Sequence, residues 1–317
     1  MTLRIVSLLP SATEIVAALG FSGELVGRSH ECDCPSEVET LPICTAPKVD
    51  VSGSSEEIHR GIEGLVKEAL SVYRVDAERM RQLSPTHVVT QVQCEVCAVS
   101  LDDVRDALAA WSEPRPKLVA LSSRDLDDVF EDIGRVADSL GAPERGQKLV
   151  ASMRRRMDRV AERARTSSSR PRVATIEWLS PLMAAGNWMP ELVEMAGGEN
   201  LFGAAGNHSP WLAWEDLRAA DPDAIILFPC GFSLERVRKE IGLVTSLSGW
   251  KDLRAVAAGR VFLAEGNQLF NRPGPRLVET LEATAEMIHP EIFRPALEGA
   301  AWQRLSSLRP APVTIGA

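Results

Sequence analysis

The sequence predicts an α/β fold: two similar lobes of mainly parallel sheet, joined by one long helix, with a ligand cleft between them. Three observations carry this. Short β-branched runs alternate with helical patterns along the chain. One long helical pattern separates two sets of such runs, and the two halves repeat one another in order. At 317 residues the chain also exceeds the size, roughly 250–300 residues, at which single cores stop growing.

The strands are expected at Arg4 to Leu9, Thr86 to Thr90 and Lys117 to Leu121, then at Arg172 to Ile176, Ala224 to Phe228 and Arg260 to Ala264. Between the sets, Leu126, Val129, Phe130, Ile133, Val136, Ala137 and Leu140 form the apolar stripe of one helix. A second helix is expected from Pro143, a favoured first-turn residue, through Val150, Met153, Met157 and Val160 to the breaker Thr166-Ser167-Ser168-Ser169-Arg170-Pro171. At ~1.5 Å per residue it is long enough to run from one lobe to the other. The expected divisions are a lobe over 1–142, a connecting helix over 143–168, a lobe over 169–290 and a tail over 291–317.

The internal repeat is specific. In the first half a helix ends at Leu83-Ser84-Pro85-Thr86 and feeds His87-Val88-Val89-Thr90, then Cys94. In the second a helix ends at Ala220-Asp221-Pro222-Asp223 and feeds Ala224-Ile225-Ile226-Leu227, then Cys230. Arg4 to Leu9 and Arg172 to Ile176 are likewise each followed by a helix that closes on glycine, Gly20 or Gly197-Gly198. Both matches in the same order imply a duplicated lobe.

A net charge of −9 opposes nucleic-acid binding, whose affinity is mostly attraction to phosphate. The basic run Arg154, Arg155, Arg156, Arg159, Arg163, Arg165 is broken by Asp158 and Glu162 at helical spacing, which reads as a solvated helix face. No stretch approaches the roughly 18 apolar residues of a membrane helix. Met1 to Arg4 lead straight into a short apolar run that stops at Pro10, without the pattern of a secretory signal, so a cytoplasmic location is expected. The six cysteines should then be reduced thiols, suited to metal binding or reactivity rather than disulfides. No Gly-rich nucleotide fingerprint, P-loop or G-x-S-x-G elbow is present, and no catalytic residue is assigned.

In parallel sheets ligands bind outside the carboxyl ends of the strands, where loops converge. Those loops hold Ser11; His30, Glu31 and Cys32; Gln91, Cys94 and Cys97; Trp188; His208 and Trp211; Cys230 and Phe232; and Asn267. His30 and His208 occupy comparable loops of the two halves. Trp188 stands among small residues in Ala184-Ala185-Gly186-Asn187-Trp188, where a planar indole can stack on a ligand.

Pro10-Ser11-Ala12-Thr13-Glu14-Ile15-Val16-Ala17-Ala18-Leu19-Gly20, with Gly197-Gly198-Glu199-Asn200-Leu201-Phe202 and Trp214-Glu215-Asp216-Leu217, resembles the helical-backbone substrate-binding proteins of ABC importers for cobalamin, haem and iron-siderophores. The cobalamin-binding branch is the nearest, and the likeness runs to about Pro290. The resemblance implies two lobes on one long helix, limited hinge motion and a large, flat ligand, here cobalamin or a related corrinoid. Its expected contacts are Ser11, His30, Glu31, Gln91, Trp188, His208, Trp211, Phe232 and Asn267. Glu14 and Glu215 match the carboxylates with which such proteins dock on a permease. Without an export signal, and with a thiol-rich cleft, a cytosolic relative is expected, and an ABC permease or other membrane partner is not. The alternative is a transition-metal site, an iron-sulfur cluster or a thiol redox centre at Cys32, Cys94, Cys97 and Cys230, with His30 or His208.

Overall fold

The computed structural model of the chain describes residues 2–48, 50–67, 72–92, 101–109, 111 and 115–305. It divides into two compact units. Unit 1 takes Met1–Asp158 with the short segments Ala205–Asn207 and Arg272–Val278, and unit 2 takes Arg159–Ala204, His208–Asn271 and Glu279 onward.

Unit 1 is built on β1 (Ile5–Ser7), β2 (Leu25–Arg28), β5 (His87–Gln91) and β6 (Lys117–Leu121), in the order β2-β1-β5-β6. All are parallel, with Ile5 opposite His87 and Val88 opposite Leu118. Ile5, Val6, Val88 and Val89 are buried, as befits strands covered on both faces and therefore apolar throughout. A small antiparallel pair, β3 (Thr45–Pro47) with β4 (Tyr73–Val75), lies outside that sheet. Around these pack α1 (Pro10–Ala18), α2 (Ser55–Lys67), α3 (Ala77–Leu83), α4 (Leu101–Ala109) and α5 (Leu126–Ser139). The side chain of Asp125 caps α5 by accepting from the amide of Asp128.

The division between the units falls inside α6 (Pro143–Ala164), a helix of 22 residues. Met153, Met157, Val160, Ala161 and Ala164 are its buried side, while Arg154, Arg155, Arg159, Arg163 and Arg165 are exposed. The arginine run is therefore the solvated face the sequence predicts.

Unit 2 has a six-stranded sheet in the order β12-β11-β10-β7-β8, with β9 also paired to β7. Its strands are β7 (Arg172–Leu179), β8 (Leu182–Ala184), β9 (Glu199–Asn200), β10 (Ala224–Leu227), β11 (Val261–Ala264) and β12 (Trp302–Arg304). The helices are α7 (Met189–Met195), α8 (Trp214–Ala220), α9 (Leu234–Glu240), α10 (Gly242–Thr245), α11 (Arg254–Ala257) and α12 (Leu277–Ile288). The expected tail from residue 291 is, through residue 305, part of this unit. β12 pairs antiparallel with β11, and Trp302 is buried with its indole N–H donated to Glu286.

The duplication is visible strand by strand. The parallel series β9-β7-β10-β11 has the order and direction of β2-β1-β5-β6. The helix before the second central strand ends in both units on a left-handed residue followed by proline, Ser84 (φ 45°) and Asp221 (φ 42°). Gly20 (φ 81°) and Gly197 (φ 87°) close α1 and α7 in the same conformation. No described helix is long and apolar enough to cross a membrane.

Candidate functional site

In unit 1 the turn after β2 is wrapped round an arginine. The Arg28 guanidinium, at the strand's end, donates to the carbonyls of Ser29 (3.0 Å), Cys32 (3.1 Å), His30 (3.4 Å) and Glu39 (3.0 Å). Three carbonyls of a polar turn, those of Ser29, His30 and Cys32, thereby find a donor away from water. His30 Nδ1 lies 2.7 Å from Thr45 Oγ1, and its ring centroid 5.6 Å from that of Tyr73. The Tyr73 hydroxyl donates to Glu31 Oε1 at 3.5 Å.

Behind the turn lies a buried charge cluster that the sequence reading did not find. Arg272, 4% exposed, donates to Asp33 through both terminal nitrogens (2.5 and 3.1 Å), to Glu14 (3.1 Å) and to the Glu31 carbonyl (3.4 Å). Arg276 stands 3.6 Å from Glu14. A buried fork of this kind fixes the turn 29–33 against α1, because removing any member leaves a charge without its partner. The Asn-Arg-Pro-Gly-Pro-Arg run 271–276 was the only local signal, and nothing in it names carboxylates 239 and 258 positions away.

Burial sets the charge states. It pushes the Glu31 carboxyl up to about 7, against the opposing pull of Arg272 and the Tyr73 hydrogen bond. Burial likewise raises Glu14 against Arg272 and Arg276. Burial, then the nearby Arg28 charge, lowers the His30 imidazole and keeps it neutral. Burial drives the Cys32 thiol up to about 11 although Thr13 donates to its sulfur at 3.0 Å.

In unit 2 the end of β7 carries Glu177, whose Oε2 accepts from the Ser209 hydroxyl at 2.7 Å, while Ser209 Oγ accepts from the amide of Gly186 at 3.0 Å. Burial raises the Glu177 carboxyl against that hydrogen bond and the neighbouring His208. His208 is exposed and donates Nδ1–H to the Ser209 carbonyl at 3.0 Å. Trp211 is 60% exposed, and its segment bridges Met183 of β8. Asn267 is half-buried, its amide donating to the Phe232 carbonyl and to Glu265.

Several expectations need correcting. Trp188 is 7% exposed and its indole N–H is committed to the Phe270 carbonyl at 3.2 Å, so it anchors unit 2 rather than offering a stacking face. Phe232 is 2% exposed, packed on Trp178 with the Arg236 guanidinium 3.9 Å over its ring, and is a core residue. Ser11 lies in the first turn of α1 and Gln91 is the last residue of β5, so neither stands on a loop, and both are buried. Glu14 is not a surface docking carboxylate: it lies beyond the first turn of α1 and is paired inside unit 1. Glu215 does sit exposed in the first turn of α8.

For the proposed thiol site, Cys94 and Cys97 lie outside the described residues. Cys32 is a buried, protonated thiol of unit 1, and Cys230 a half-buried residue of unit 2. Among the described residues, no three His, Cys, Asp or Glu side chains converge as a metal-holding group.

Two sheets that share one parallel strand series, with polar side chains past those strands' carboxyl ends, define a small-molecule-binding protein of the two-unit α/β class. The chain belongs to the periplasmic binding protein family, whose sequence pattern it matches over residues 5–267. It is 26% identical over 299 residues to an ABC transporter substrate-binding lipoprotein of Bacillus subtilis, covering 92% of this chain and 81% of that one. It is 22% identical over 287 residues to the vitamin B12-binding protein of Vibrio parahaemolyticus, covering 90% and 87%. Among solved structures, the periplasmic heme-binding protein of Roseiflexus sp. RS-1 in apo form superposes with a TM-score of 0.67 at 22% identity, over 92% of this chain and 99% of that one. The chain is thus a substrate-binding protein of ABC importer type.

Proposed function

We propose that this protein binds cobalamin or a related corrinoid at the loops past the strands' carboxyl ends. The observation that carries the reading is the match, over 90% of the chain, to a vitamin B12-binding protein. Of the expected contacts, His30 and Glu31 in unit 1 are not buried; in unit 2, taken by itself, His208, Trp211 and Asn267 are not buried either. We assign to Trp211, 60% exposed, the stacking role first expected of Trp188.

Calorimetric titration of the full chain with cobalamin should give saturable one-site binding. Trp211→Ala should weaken it by about 2 kcal/mol, the usual cost of truncating an aromatic anchor. Absence of binding to cobalamin, cobinamide and haem alike would remove the proposal.

Family membership also favours an ABC permease as partner, in place of the sequence expectation that there is none. Glu215 is then the carboxylate whose charge reversal should weaken docking. An importer's permease and a cytoplasmic location are incompatible for this chain, and fractionation of the native protein decides between them.

A further inference from the structure

We infer that His30 supplies an axial nitrogen ligand, through the lone pair of Nε2, to the metal at the centre of a bound macrocycle. This rests on the proposed function and specifies its chemistry.

Thr45 is a buried residue of β3. Its hydroxyl has one hydrogen and two lone pairs. The hydrogen is donated to Ser29 Oγ at 3.0 Å. Both lone pairs then face His30: one accepts its backbone N–H at 3.1 Å, and the other can only accept from Nδ1 at 2.7 Å. Nδ1 therefore carries the proton, and Nε2 carries an in-plane lone pair. Ser29 Oγ also accepts the amide of Glu31 at 3.3 Å, so the Glu31 N–H and the Thr45 hydroxyl converge on it.

This is the arrangement by which a metal-ligating imidazole is oriented: one ring nitrogen bonded to a fixed oxygen acceptor, the other open. No described residue hydrogen-bonds Nε2, and the ring is half-buried at the end of β2. Ligation forms an Nε2–metal bond and releases the water or other labile group on that axial position. The proton stays on Nδ1, and the metal's oxidation state is unchanged. His208 also donates Nδ1–H, but to the adjacent carbonyl on an exposed loop, without a buried acceptor to fix the ring.

The test uses the full chain and cobinamide in its cobalt(II) form, a corrinoid without a nucleotide base of its own. Electron paramagnetic resonance of the complex should show the cobalt lines split into triplets by one coordinated nitrogen. His30→Gln should bind at least as weakly as Thr45→Val and, at saturating protein with a native circular dichroism spectrum, lose the triplet; His208→Gln should keep it. Thr45→Val should keep the triplet while affinity falls roughly 10–100-fold, as for loss of a metal ligand's outer partner. Hemin with a His30-dependent low-spin spectrum, in place of cobinamide binding, would support the axial ligand and reassign the macrocycle. Cobinamide bound without a nitrogen triplet, a triplet lost in His208→Gln, or unchanged affinity in Thr45→Val would overturn the inference while leaving corrinoid binding intact. Absence of any macrocycle binding would overturn both.

Discussion

Glu31 shows how one residue's surroundings give the protein a pH dependence. Its carboxyl, facing Arg272, Asp33 and the Tyr73 hydroxyl, is held at about 7 in the folded chain by burial, against an ordinary value of 4.5. Between those values the folded chain keeps a proton that the unfolded chain has lost, so stability falls as pH rises through that window and levels off above it. The residue is half-buried, and solvent screening limits the change to on the order of 2 kcal/mol. Glu14, Asp132 and Glu177 are raised by burial too and bend the curve the same way. The readout is therefore a difference: urea unfolding at pH 5 and pH 8 should show Glu31→Gln losing less stability than the parent by about that amount. Equal losses in the two proteins would refute the assignment. The sequence placed Glu31 on the right loop, because loops past strand ends follow from strand positions. It was silent on Arg272, which meets the turn only through folding, and it misjudged Trp188 and Phe232, because a loop position does not reveal whether a side chain turns inward.

At the scale of elements, the helix ends were the most legible features. Gly20, Gly197, Ser84-Pro85 and Asp221-Pro222 were readable as stops because a left-handed residue, or a proline beyond it, is what ends a helix. β2, β3, β4, β8, β9 and β12 were not picked out as strands, each being too short to show a periodicity. Two glycines, one just past the end of α7 and one inside α5, should respond oppositely to a methyl group. At Gly197 the backbone is left-handed, and an added Cβ would lie 2.9 Å from His289 Nε2 and 3.1 Å from the Ala164 methyl. His289 is itself buried and tied to the Gly197 carbonyl at 3.2 Å, so it has no room to yield. Gly197→Ala should cost about 2–3 kcal/mol. Gly134, inside α5, would place a Cβ in open space. Gly134→Ala should therefore stabilise by roughly 0.5–1 kcal/mol. Thermal unfolding of both variants checks the pair, and the account fails if the two shifts share a sign.

At the scale of the whole chain, the two units are not two consecutive stretches of sequence. Unit 1 is completed by Ala205–Asn207 and by Arg272–Val278, which arrive after most of unit 2 has been laid down. The second segment brings Arg272 and Arg276, the cations that face Glu14 and Asp33. A fragment ending at Ala164, after α6, keeps every strand of the unit 1 sheets but leaves those carboxylates without their partners. Breaking a buried pair in this way costs about 3–5 kcal/mol, a large share of the 5–15 kcal/mol that holds a typical domain together. The fragment should therefore unfold broadly and at low urea, as followed by circular dichroism. Glu14→Gln with Asp33→Asn should recover part of the loss in the fragment, since the neutral amides need no cation, yet the same pair should destabilise the full chain by stranding Arg272. A fragment as cooperative as the full chain, or a double substitution acting in one direction in both contexts, would show that the returning segment does not complete unit 1 energetically.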